Sequence, residues 1–152
     1  MPDPNPEFVD TLKQIVNTSP YPDHMNMSLA DIRQDHAVIA MTLGRRHLQP
    51  YGIVHGGVIA TLIDTATFWA AFMRLPQDAG LVNVDLKLNY LQPVIEGKLR
   101  AEGFCIRPGR TLSYAEARVW DSKGQLIAHG TSSLMALPGK AMTTDIPKFL
   151  DD

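Results

Sequence analysis

One carboxylate, Asp64, interrupts a run of apolar and small residues from Val58 to Met73 that leaves no solvated face on a helical wheel. Such a charge is costly to bury unless it is hydrogen-bonded, paired or put to chemical use. In use, it would attack an electrophilic carbon as a nucleophile or take a proton from water as a general base. The pair Gly56-Gly57 stands at the front of the same run. Lacking Cβ atoms, these residues let a ligand approach the first helical N–H groups, which have no intrahelical partners and lie at the positive end of the helix dipole. A developing oxyanion suits that place.

Spacing sets a condition on this chemistry. Gly57 and Asp64 are seven residues apart, on nearly the same face of a helix but about 10 Å apart along its axis at ~1.5 Å per residue. An aspartate side chain shortens that gap by only a few Å. If both groups act on one carbonyl, they must come from two copies of the chain, and a twofold dimer would hold two such sites.

The elements that must position these groups can be read in order. Asn5 and Pro6 cap and start a short helix with Phe8, Leu12, Ile15 and Val16 at helical spacing, expected on the outside of the domain. Pro20, Pro22 and Asp23 are expected to break it. Segments 27–33 and 37–43 read as a hairpin turning at Gln34-Asp35, with Ala37, Ile39 and Met41 on one face. Residues 44–54 form a loop bordering any site at the start of the long helix. Beyond Leu75-Pro76 the period becomes two. Val82, Val84, Leu86, Leu88 and Tyr90 alternate with polar residues, which predicts one half-buried strand with a polar face in need of water or a partner. Strands over 97–106, 111–121 and 125–136 follow, joined by turns at 107–110 and 122–124, giving an antiparallel meander after one long helix. The tail, residues 137–152, shows no period and ends in an acidic pair, and it is read as irregular. No repeat or linker divides the chain, so residues 1–152 are expected to be one domain with an N-terminal helical extension over 1–24.

Composition excludes several classes. Fourteen Lys plus Arg against sixteen Asp plus Glu, a net charge of −2, give no general attraction to nucleic acid or an anionic membrane. The central helix is a poor membrane span, because Asp64 and the threonines at 61, 65 and 67 interrupt it. The start, Met-Pro-Asp-Pro-Asn-Pro, has no signal-peptide character, and a single cysteine, Cys105, fits a reducing cytoplasm. His24, His36, His47 and His129 show no metal-ligand spacing, and Cys105 reads as a small buried residue rather than a nucleophile.

His55-Gly56-Gly57, six further residues, Asp64, then Thr65-Ala66, resembles the signature of the hotdog-fold acyl-CoA thioesterases, specifically the phenylacetate-degradation (PaaI-like) branch. The resemblance spans roughly residues 25 to 136 and implies an α+β fold in which a long central helix is wrapped by a curved antiparallel β-sheet. It also implies a homodimer, or a dimer of dimers, that hydrolyses small or medium acyl-CoA thioesters at the subunit interface, with no cofactor beyond the CoA of its substrate and no metal. On that basis the Gly57 N–H polarises the carbonyl while Asp64 of the other subunit attacks it or activates water. His55 shapes the helix start. Gln49 stands where many relatives carry Asn and would position water or the carbonyl; Asn83 stands where others carry Ser or Thr and would bond a water or the aspartate. Gly56 would admit the substrate, Phe68 would touch the acyl group, and Arg107, Gly109, Arg110 and Thr111 would meet the anionic nucleotide end of CoA.

Plainer readings stand beside these. Asp64 could be a structural acid, the double glycine a tight turn, the two arginines a solvated turn, and Phe68, Trp69 and Phe72 core. Two rival functions follow: a non-catalytic acyl-CoA sensor, or a hotdog hydratase or dehydratase that would have to use His55 directly.

Overall fold

The computed structural model describes residues 1–142 and 145–150. Three helices, α1 (Pro6–Asn17), α2 (Pro20–His24) and α3 (Gly56–Phe72), accompany seven strands: β1 (Met27–Arg33), β2 (His36–Thr42), β3 (Ala79–Asn83), β4 (Lys87–Tyr90), β5 (Lys98–Arg107), β6 (Leu112–Trp120) and β7 (Leu126–Pro138). All strands join one antiparallel sheet in the order β1-β2-β5-β6-β7-β3, with β4 also on β7. This curled sheet wraps α3, which is the expected α+β hotdog architecture.

Apolar content explains the central place of α3: Leu62, Ile63, Ala66 and Ala70 are wholly buried, against sheet residues such as Ile39, Ala101 and Val119. The helix can settle on the sheet because β5 carries Gly103 at the crossing point. A Cβ there would lie 2.2 Å from the Ala66 carbonyl oxygen, so any side chain would lift α3 off its bed.

The hairpin β1–β2 turns at Gln34-Asp35 as expected, with Asp35 in the left-handed region at φ 65° and Ala37, Ile39 and Met41 buried. Helix α1 begins as expected, the Asn5 side chain accepting the Glu7 N–H at 3.1 Å, and it buries Phe8, Leu12 and Val16 while Ile15 stays 38% exposed. Asn17 fastens α1 to the sheet. Its amide accepts the Leu29 N–H (2.8 Å) and donates to the Leu29 carbonyl (3.3 Å).

Helix α1 ends at Asn17, ahead of Pro20 as expected, and Pro20 then takes the first position of the short α2, where its missing N–H has no partner to lose. One expectation needs correction. The single strand expected over 81–91 is split into β3 and β4. Five residues from Asn83 to Lys87 face four from Leu134 to Thr131, so one extra residue bulges out and the inward face changes phase. Leu81 and Asn83 point inward before the bulge and Leu86 and Leu88 after it, leaving Val82 and Val84 exposed. The Asp85 carboxylate holds the break open by accepting the Ser133 N–H at 2.7 Å.

The tail carries no helix or strand after Pro138 among the described residues, yet it is fastened to the fold. From Asp145 to Leu150 it packs between the N-terminal segment and the end of α3. Lys148 is 4% exposed, and its ammonium donates to the carbonyls of Phe72 (3.2 Å) and Leu75 (2.8 Å) and lies 4.4 Å over the Phe72 ring. The terminal acidic pair lies outside the described residues.

Candidate active site

At the front of α3, His55 takes an extended conformation (ψ 138°) and acts as the N-cap. Its Nδ1 accepts the Gly57 N–H at 2.7 Å, and its carbonyl accepts the Val58 N–H at 2.9 Å. Nδ1 is therefore an acceptor and any ring proton sits on Nε2. This changes the expected assignment. Gly57 was to offer its N–H to a substrate, but the His55 ring occupies it. The open donor is the Gly56 N–H, one position earlier, which has no partner among the described residues. Gly56 lines a cavity of about 330 Å³ with Gln49, Ile59, Tyr90 and Ile127. Tyr90 Oη donates to the Gly56 carbonyl at 3.2 Å, and a Cβ on Gly56 would approach that hydroxyl to 2.9 Å. The Gln49 side-chain oxygen accepts the Tyr51 N–H, and Gln49 lines the same cavity as Gly56.

Two turns along α3, the half-buried Asp64 carboxylate has neither hydrogen bond nor ion pair among the described residues. Burial pushes its pKa up from the ordinary carboxylate value of 3.8. It lines a second cavity, about 260 Å³, together with Thr65, Phe68 and Trp69 of α3. Phe68 is the partly buried member of the aromatic group, packed on Trp69 at 4.8 Å, whereas Trp69 and Phe72 belong to the core. Asn83 does not reach the carboxylate. Its amide donates to Ser132 Oγ (2.9 Å), to the Asp64 carbonyl (3.3 Å) and to Thr67 Oγ1 (3.4 Å), so it fastens the middle of α3 to β7.

The expected site residues thus fall into separate places within one chain. Gly56 and Asp64 lie eight residues, roughly 12 Å, apart along α3 and line different cavities. Arg107, Gly109, Arg110 and Thr111 sit exposed at the tip between β5 and β6 and line neither cavity. There the Gly109 N–H donates to Ser113 Oγ (3.1 Å) and the Thr111 carbonyl accepts the Ala136 N–H (2.9 Å), while neither arginine has an acidic partner among the described residues. Cys105 is half-buried, its thiol pushed up to about 11, so it holds little thiolate at neutral pH. Three other histidines have structural partners: His36 pairs with Glu102 (2.7 Å), His129 with Glu116 (3.0 Å), and buried His47 bonds the Met25 carbonyl (2.8 Å).

Sequence reasoning overlooked the outer wall of the Asp64 cavity. Ile15, Val16, Ser19, Tyr21 and Pro22 from α1 and α2 line it, with Met142 from the tail. The Tyr21 and Thr61 hydroxyls share a 2.7 Å hydrogen bond across its rim. The available signal was Thr61, three residues before Asp64 and on the same helical face.

A family model described as the thioesterase superfamily matches residues 51–128, just over half of the chain and including both Gly56 and Asp64. The chain belongs to the thioesterase superfamily. Among its relatives, mouse acyl-coenzyme A thioesterase 13 is 27% identical over 106 residues, 68% of this chain and 75% of that protein. A Haemophilus influenzae thioesterase crystal structure superposes with a TM-score of 0.80 at 23% identity, covering 90% of this chain and 94% of that one. The Escherichia coli PaaI protein from the phenylacetic acid degradation operon shares the fold at TM-score 0.78 and 17% identity, covering 88% and 95% of the two chains. Thioesterase membership assigns the general class of reaction, hydrolysis of a thioester. No helix among the described residues is long and apolar enough to cross a membrane.

Proposed function

We propose that this thioesterase hydrolyses acyl-CoA thioesters, with small or medium acyl groups, at sites formed between two copies of the chain. The observation that carries this reading is the unpartnered, half-buried carboxylate of Asp64 on a cavity in the middle of the core helix. A structural acid would have a hydrogen-bond donor or a cation, and this one has neither among the described residues. That also counts against a sensor in which Asp64 serves only the fold. A hydratase using His55 directly finds less support, because His55 Nδ1 already accepts the Gly57 N–H.

In this scheme the Gly56 N–H of one copy, aided by the positive end of α3, polarises the thioester carbonyl. Asp64 of the other copy either takes a proton from an attacking water or attacks the carbon itself, forming an anhydride that water then opens. Either route breaks the C–S bond, consumes one water and leaves a free acid and the CoA thiol. The raised pKa of Asp64 suits a base, since a poorly solvated carboxylate accepts a proton more readily. A second copy is supported by the sheet edge. There β3 and β4 present unpaired backbone and the exposed side chains of Val82, Val84 and Tyr90, a surface that a matching strand would cover.

Asp64→Asn tests the reading. It keeps volume and shape while removing both nucleophile and base, so kcat on acyl-CoA should fall by at least ~10²-fold with substrate affinity retained. Unchanged turnover by the folded variant would refute it.

A further inference from the structure

The cavity beside Asp64 has a composition that selects its occupant. Apart from Asp64 itself, no charged side chain among the described residues lines it: the walls include Ile15, Val16, Leu29, Phe68, Trp69 and Met142, with a few hydroxyl-bearing residues. One hydroxyl is already spent, since Ser19 Oγ donates to the Val16 carbonyl at 2.6 Å. Its volume of about 260 Å³ lies just below the ~300–1,000 Å³ of drug-sized ligand pockets, which suits an acyl group of medium length better than a long fatty chain. The outer wall belongs to α1 and α2, held across the rim to α3 by the bond between the Tyr21 and Thr61 hydroxyls.

Resting on the thioesterase reading of Asp64, we propose that this cavity receives the acyl group, that the substrate acyl is uncharged, apolar and of medium length, and that α1 and α2 set that length. An apolar chain of this size displaces water from an apolar wall and gains its transfer free energy, while its carbonyl stays at the Asp64 mouth. A second carboxylate on the acyl group would be buried without a cation and beside Asp64, so dicarboxylic acyl groups are rejected by desolvation and like-charge repulsion. Ile15 is the natural gauge of length. Its side chain borders the cavity from α1 and is partly open to solvent, so a larger group there can fill the cavity without disrupting the core.

The experiment measures kcat/KM on acetyl-, hexanoyl-, octanoyl-, phenylacetyl-, palmitoyl- and succinyl-CoA for wild type, Ile15→Trp and Met142→Ala. Wild type should favour octanoyl or phenylacetyl and accept succinyl at least 100-fold less well. Ile15→Trp should lower octanoyl at least 10-fold while holding acetyl within twofold, and Met142→Ala should move the preference toward longer chains. Length preference unchanged in both folded variants, or succinyl accepted as readily as octanoyl, would overturn the proposal while leaving the hydrolase reading intact. Wild type inactive on every thioester would instead sink that reading. The cavity is then read by itself: octanoyl-CoA added to Asp64→Asn carrying Trp120→Phe, in which Trp69 is the one remaining tryptophan, should change the emission saturably. Emission that stays unchanged, or changes as much with acetyl-CoA, would overturn the acyl assignment.

Discussion

At its first turn α3 leaves the Gly56 N–H without a partner among the described residues, beside the exposed His55 and Gly57, whereas just past its last turn the buried Lys148 ammonium donates to the carbonyls of Phe72 and Leu75. Both ends carry helix-dipole charge, positive at the front and negative at the back. The back is neutralised from within by a cation of the same chain and covered by the tail. The front has no such cation or covering segment among the described residues, as the proposed substrate carbonyl would require. One element therefore serves both purposes: its closed end stabilises the fold, and its open end, with Asp64 between them, is available for chemistry.

The largest effect should come from closing the open end. Gly56→Pro removes only the N–H in question, at a helix position where proline is tolerated and after a residue, His55, already extended. Gly56→Ala is its control, because both variants crowd Tyr90 and only one loses the donor. Proline should lower kcat/KM on octanoyl-CoA at least ~10²-fold below alanine, the usual loss for one oxyanion donor. Similar activity in the two variants would remove Gly56 from the site.

Opening the closed end should affect stability rather than turnover. Lys148→Met leaves buried carbonyls unsatisfied and should cost about 1–3 kcal/mol by denaturant unfolding, with kcat of the folded fraction retained. Burial holds the Lys148 ammonium down to about 8, below its ordinary 10.5. The unfolded chain then binds the extra proton between pH 8 and 10.5, so wild type should gain stability relative to Lys148→Met as pH rises through that window. A gap that narrows there would mean the ammonium is better held by its carbonyls and ring than burial alone allows.

Asp64 has the opposite sign. Its pKa is raised in the fold above the ordinary 3.8, so ionisation on raising the pH weakens the native state. Asp64→Asn should therefore be as stable as wild type or more so at pH 7, an advantage that fades toward pH 4. Thermal melts across that range decide it, and a variant that melts early at pH 7 would restore a structural role.

The smallest effect concerns the tip between β5 and β6. Replacing Arg107 and Arg110 by Ala should raise KM for acyl-CoA several-fold at low salt, less as salt is added, and leave nucleotide-free thioesters unaffected. Equal loss on both substrate types would point to a folding defect.

Features governed by local pattern were legible in the sequence. These include α3, capped by His55 and uniformly apolar; the hairpin at Gln34-Asp35; and the three long strands β5 to β7, whose alternation and turns lie within a few residues. What depended on distant partners was not. The break between β3 and β4 turns on Asp85 meeting the Ser133 N–H, and the order of the tail turns on Lys148 finding carbonyls more than seventy residues earlier. Within the site, the double glycine located the helix start but not the open donor. The choice between Gly56 and Gly57 rests on one rotation of the His55 ring, which carries no sequence signal. The alternation assigns Asn83 to the polar face and the resemblance offers it to the aspartate, yet the bulge turns it inward and its amide serves the Asp64 backbone instead of the carboxylate.

The account stands on Gly56 and Asp64 meeting across two copies of the chain, and subunit mixing tests this most directly. Gly56→Pro and Asp64→Asn homodimers should each be nearly inactive. Unfolded together in equal amounts and refolded, half of the dimers carry one of each, and each of those rebuilds one of its two sites, so activity should return to about one quarter of wild type. Activity that stays at the level of the separate variants would show that one chain supplies both groups, and would contradict the shared site.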